Sequence, residues 1–113
     1  MSSHWTVTTL NRTVDAELDA LPADMRARLV RIAELIRSGG LENVGLPHVR
    51  PVQPPLWEIQ LSGRAGIARA LYVTAHGKRV VILRAFVKKT PNTPRQEIYL
   101  ALERARQLDS RCR

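Results

Sequence analysis

The sequence predicts an α+β domain, and three observations carry that prediction. Helical periodicity fills most of the first forty residues, three strand-like runs follow between residues 56 and 87, and one helical run remains after them. The expected order is β-α-α-β-β-β-α. In this arrangement an N-terminal strand and helical hairpin pack on a mainly antiparallel sheet of about four strands, with a C-terminal helix. A chain of 113 residues suits a single domain, 1–113.

Each element has its own signature. Trp5-Thr6-Val7-Thr8-Thr9-Leu10 alternates and is β-branched, which predicts a short strand. Val14, Leu18 and Leu21 fall at i, i+4 and i+7, with Thr13 as the expected N-cap and Asp15 and Glu17 in the first turn. Pro22 interrupts this run and suits the start of the next. There Met25, Leu29, Ile32 and Ile36 form the clearest apolar stripe, and Ser38-Gly39-Gly40 stops the helix.

Residues 41 to 55 hold four prolines and a glycine without any period, so an irregular connector is expected. Leu56 to Leu61 then alternates as a strand, and Ser62-Gly63-Arg64-Ala65-Gly66 is a turn. Ile67 to Thr74 and Arg79 to Val87 are two further strands joined by the short turn Ala75-His76-Gly77-Lys78. Both are nearly continuous in apolar residues, which implies cover on both faces or a central place in the sheet. Lys88 to Thr93 leaves the sheet as a loop. A final helix is expected from Pro94 to about Leu108, capped by Thr93 or Thr90, with Ile98, Leu102 and Ala105 buried.

Composition narrows the function. The net charge is +8 and the pI is near 11, yet 44% of the residues are apolar, more than a disordered basic tail contains. Residues 1 to 62 hold six Lys/Arg against seven Asp/Glu, while residues 63 to 113 hold twelve against three. Positive charge confined to one half attracts polyanions, nucleic acid foremost, although a solvated basic face is the plainer alternative. The longest apolar stretch, Val80 to Leu83, is far too short to span a membrane. No secretory signal opens the chain, and the lone Cys112 forms no internal disulfide, so a cytoplasmic protein is expected.

No cofactor or metal is expected. His4, His48 and His76 are far apart, no His or Cys pair has zinc spacing, and neither a Walker loop nor a GxGxxG is present. What remains is a set of cations. Arg69 and Arg84 stand within apolar strands, Lys88 and Lys89 follow, and Arg95 opens the last helix. Burying a cation unpaired is costly. Either Arg69 and Arg84 are structurally paired, Arg69 with Glu58 for instance, or they face a groove. In a groove such a cluster binds a phosphodiester and stabilises the charge that grows on it during transfer. Neighbouring cations also lower a lysine's pKa, which suits Lys88 or Lys89 to proton transfer near neutral pH. Tyr99 can offer a hydroxyl or stack on a base.

Residues 56 to 105 resemble the RelE/HigB superfamily of bacterial type II toxins, nearest to its phage-derived HigB-like branch. The resemblance rests on Leu56-Trp57-Glu58, Ala68-Arg69-x-x-Tyr72, Phe86-Val87-Lys88-Lys89-Thr90 and Thr93-Pro94-x-x-Glu97-Ile98-x-x-Ala101. It implies a RelE-like fold and a metal-independent mRNA endoribonuclease that acts on the ribosome by 2′-hydroxyl attack. It also implies a cognate antitoxin, a HigA-like helix-turn-helix protein through which any contact with DNA is indirect.

Carried over residue by residue, the resemblance makes Arg69 a phosphate ligand. Lys88 and Lys89 become the basic residues after the last strand, and Tyr99 the helix tyrosine. Arg64, Lys78, Arg79, Arg84 and Arg95 are expected to hold RNA backbone. RelE-type toxins keep lysines where this chain has Glu58 and Gln60. A non-catalytic RNA- or antitoxin-binding module of the same fold is the alternative. Direct base readout on DNA finds no helix-turn-helix pattern here.

Overall fold

The structure is a computed structural model that describes residues 4–44 and 48–111, the side chains of 109–111 excepted. Cys112 and part of the proline-rich connector lie outside the described residues. The elements are β1 (Thr6–Thr9), α1 (Arg12–Asp19), α2 (Ala23–Gly39), a short 3₁₀ turn (Leu41–Asn43), β2 (Val49–Pro51), β3 (Trp57–Gly63), β4 (Gly66–Ala75), β5 (Arg79–Val87) and α3 (Arg95–Arg111). The fold is α+β, as the periodicities predict.

The sheet has five strands in the order β1-β5-β4-β3-β2. β1 pairs parallel with β5, and every other neighbouring pair is antiparallel. The extra strand is β2, inside the stretch expected to be an irregular connector. Its three residues pair Val49 with Ile59, Arg50 with Glu58 and Pro51 with Trp57. A proline is tolerated there because β2 is an edge strand and needs no donor on its outer side.

β4 and β5 are central and covered on both faces, which explains their apolar continuity. On one face α1 and α2 press Val14, Met25, Ile32 and Ile36 against Ile59, Ala70, Tyr72 and Ile82. On the other, α3 presses Ala101, Ala105 and Leu108 against Leu71, Val73, Val81 and Leu83. The inner stripe of α3 therefore runs through Ala101, Ala105 and Leu108, while Ile98 and Leu102 flank it half-buried. Small alanines let the helix lie close to a sheet already filled by Leu and Val.

Two caps differ from expectation. Asn11, not Thr13, caps α1, its side chain accepting the Val14 N–H at 3.1 Å. Neither hydroxyl expected to cap α3 faces that helix: Thr90 donates to the Asn92 carbonyl and Thr93 to Glu58.

The β4–β5 register slips by one residue between Leu71 and Tyr72. Leu71 pairs with Arg84 and Tyr72 with Ile82, so Leu83 is an extra residue. Strand alternation is broken there, and Leu83 and Arg84 both turn toward α3. This irregularity places a mid-strand arginine beside helical carboxylates.

Candidate functional site

Two polar networks lie on the α3 side of the sheet. In the first, Glu58 of β3 and Arg69 of β4 are both fully buried. Arg69 Nη1 stands 3.4 Å from Glu58 Oε2, and Arg50 Nε of β2 reaches Glu58 Oε1 at 2.7 Å. The Thr93 hydroxyl donates to Glu58 Oε2 at 2.8 Å and accepts from Arg69 Nη1. Arg69 Nη2 donates to the Pro91 carbonyl at 2.7 Å. Burial pushes the Arg69 guanidinium below its usual pKa, Glu58 opposes that push and Arg50 adds to it. A cation so enclosed is held by its partners, since an unpaired one would cost several kcal/mol, on the order of the ionic desolvation penalty.

The structure corrects the expectation that Arg69 presents a free guanidinium to a groove. The Pro91–Thr93 segment lies over it and takes its hydrogen bonds. Its pairing with Glu58 is the structural alternative raised from the sequence, and the lock that results fixes the loop between β5 and α3. Arg69 Nε is buried without a hydrogen-bond partner.

The second network holds Arg84. Its Nε and Nη2 grip Glu97 of α3 at 2.7 and 3.2 Å, and its Nη1 reaches Glu17 of α1 at 3.1 Å. Glu97 holds its guanidinium above the usual pKa, and Glu17 adds to this against the effect of burial. Arg104 joins from α3, with Nη2 2.8 Å from Glu17 Oε2. The cause lies in β5, which runs beyond the end of β1 and leaves part of its edge unpaired. Arg104 donates to the Leu83 carbonyl at 2.7 Å and Glu17 accepts the Ala85 N–H at 3.3 Å, so side chains complete the ladder. Arg84 is thus a staple between helices and sheet, not the free RNA ligand expected of it.

The remaining predicted residues divide between the two ends of the sheet. Lys78 and Arg79 sit at the β4–β5 turn, where Gly77 and Lys78 both adopt positive φ. β5 spans nine residues, so they stand roughly 30 Å from Lys88 and do not join its cluster. At the other end, Lys88 donates its backbone N–H to the Ile67 carbonyl at 2.9 Å as the chain leaves β5. Lys89 is exposed, as are Arg95 and Tyr99, which lie one turn apart on α3. Arg64 is exposed in the β3–β4 turn at this same end, its backbone N–H held by Asp24 at 2.7 Å.

An open cleft of about 540 Å³ adjoins the first network, with Arg50, Glu58, Asn92, Thr93 and Ile98 among its walls. Sequence reasoning missed Arg50 and Asn92. The available signal was the alternation Val49-Arg50-Pro51-Val52 just before the strong strand, hidden by its prolines. Among the described residues, no three His, Cys, Asp or Glu side chains gather as metal ligands do. No helix among them is long and apolar enough to cross a membrane.

A search of curated proteins finds no match to the chain. A family model does match, over residues 16–106, from α1 through the body of α3 and across both polar networks. With most of its length inside that match, the chain belongs to the phage-derived Gp49-like protein family (DUF891).

Proposed function

We propose that this protein is the toxin of a HigB-like type II toxin–antitoxin pair, a metal-independent endoribonuclease that cuts mRNA on the ribosome in the cytoplasm. Membership of the Gp49-like family is consistent with a toxin module. The observation that carries the reading is the lock on the loop after β5. Buried Arg69 and Glu58 hold Thr93 and Pro91 of the loop that begins with half-buried Lys88 and exposed Lys89 and leads into α3, where Arg95 and Tyr99 are exposed.

In this reading the RNA 2′-oxygen attacks the adjacent phosphorus and the 5′-oxygen leaves, giving a 2′,3′-cyclic phosphate and a 5′-hydroxyl. Of Lys88 and Lys89, the one present as the free amine takes the 2′-hydroxyl proton, and the other, as ammonium, stabilises the phosphorane charge and gives its proton to the leaving 5′-oxygen. Tyr99, 59% exposed, stacks on a base, and Arg64 and Arg95 hold backbone phosphates. Arg69 is a positioning residue that acts through the loop. The cognate antitoxin, a helix-turn-helix protein, blocks this face.

One feature favours a non-catalytic binding module of the same fold: Glu58 is fully committed to ion pairs, so β3 supplies no general base there. Induced expression in bacteria with 5′-end mapping of mRNA separates the two readings. Cuts at fixed codon positions that vanish in Lys88→Ala/Lys89→Ala establish the nuclease. Growth arrest without new 5′ ends establishes the binding module instead.

A further inference from the structure

The cleft beside β2 holds groups that the cleavage chemistry does not use, and three kinds of surface meet in it. Pro51, Val52 and Ile98 give an apolar wall. Asn92, exposed on the loop, offers a carboxamide with two donors and an acceptor. Arg50, whose side chain is 43% exposed, gives a cation. Its Nε is tied to the buried Glu58 at 2.7 Å, and no hydrogen bond among the described residues engages Nη1 or Nη2. That single tie orients the guanidinium before any ligand arrives, so less freedom is lost on binding.

The volume, about 540 Å³, falls within the range of small-ligand sites. An apolar wall, an amide and a pre-oriented guanidinium are together the complement of a nucleotide: a flat base, its hydrogen-bonding edge and its phosphate. A simple inorganic anion would use only Arg50. Asn92 and Thr93 belong to the loop that carries Lys88 and Lys89, so an RNA strand lying on that loop passes the mouth of the cleft.

We propose that this cleft is a one-nucleotide subsite for single-stranded RNA. The phosphate sits on the Arg50 Nη atoms, the base lies against Val52 and Ile98, and Asn92 reads the edge of the base. The inference rests on the ribonuclease reading and gives it a place where base identity is sensed.

The test is an NMR titration of the ¹⁵N-labelled full chain with a 2′-O-methylated oligoribonucleotide, whose blocked 2′ positions prevent cleavage. Parallel titrations use a nucleoside monophosphate and inorganic phosphate. The oligonucleotide is expected to move the amides of Asn92, Thr93 and Ile98 and the Nε resonance of Arg50. Arg50→Gln should lower the slope of log K against log salt by about 0.7, one phosphate contact on a single strand. Asn92→Ala removes a side chain that bonds nothing among the described residues, and it should change base preference while leaving that slope alone.

Oligonucleotide binding that leaves these resonances still, with both variants like wild type, overturns the subsite and leaves the RNA reading standing. Equal shifts from inorganic phosphate overturn base recognition, and a monophosphate that binds as tightly as the oligonucleotide reassigns the cleft to free nucleotides. Failure of wild type to bind the oligonucleotide at low salt overturns the RNA reading itself.

Discussion

Glu58 and Arg69 sit diagonally across β3 and β4, both fully buried, with Oε2 and Nη1 3.4 Å apart. Glu58 serves three donors, Arg50, Arg69 and Thr93, so removing it strands a cation in the interior. Glu58→Ala should destabilise the fold by about 3–5 kcal/mol, the scale of a broken buried pair. Glu103, in an exposed pair with Arg106, is the control: Glu103→Ala should cost no more than about 1 kcal/mol. Urea denaturation of both variants checks the contrast, and equal midpoints would refute the role given to burial.

Thr93 links that pair to the loop. Thr93→Val keeps the shape of the side chain but removes its hydrogen bonds to Glu58 and Arg69, leaving buried polar groups unsatisfied at a cost of about 1–3 kcal/mol. Thr93→Ser restores the hydroxyl. Exchange of the amides of Lys88, Lys89, Thr90, Asn92 and residue 93 should quicken in the valine variant and not in the serine variant. Uniform quickening over the whole sheet would instead mean a general loss of stability.

The second network sets an acid limit. Burial alone would raise the Glu17 carboxyl. Hydrogen bonds from Arg104 and the Ala85 N–H, with the charges of Arg84 and Arg104, outweigh burial and hold it below its usual value of 4.5. A carboxyl with a lower pKa folded than unfolded stabilises fully above the unfolded value. That contribution disappears as pH falls through the folded value. The urea midpoint of wild type should therefore drop below about pH 5. Glu17→Gln should be less stable at neutral pH and show a shallower acid limb.

Gly63 ends β3 against the start of α2. A Cβ there would stand 2.8 Å from both Asp24 carboxylate oxygens and from Met25 Cγ. Gly63→Ala should cost about 1–3 kcal/mol by forcing these apart. Adding Asp24→Ala should relieve only part of this cost, because Met25 is buried and still in the way. A thermal melt of the double variant, compared with both single variants, measures the coupling.

The sequence made the main elements legible wherever one period dominated. The α2 stripe of Met25, Leu29, Ile32 and Ile36 is buried as its spacing requires, and β5 spans the residues its apolar run marks. Features set by tertiary partners were harder to read. β2 is three residues long and ends in a proline, so it exists as a strand only because β3 pairs with it. Arg84 was legible as either a structural pair or a groove-facing cation, and the one-residue slip beside Leu83 turns it toward Glu97. Arg69 was legible as either a pair or a ligand, because Glu58 lies two residues diagonally across a hairpin. Only the course of the Pro91–Thr93 segment decides between them. Arg50 was lost with the strand that carries it.

The parallel pairing of β1 with β5 has a consequence for synthesis. Val7 meets Val80, more than seventy residues later, and α1 and α2 lie between them in the chain. As the chain emerges from the ribosome, the first strand and the helical hairpin wait with apolar faces uncovered until β5 has been translated. Such a long loop closes late and slowly compared with local hairpins. The sheet therefore closes only after β5 has been made. The loop carrying Lys88 and Lys89 emerges immediately after the strand that completes the sheet, so the basic face assembles only once β5 and the segment behind it have left the ribosome.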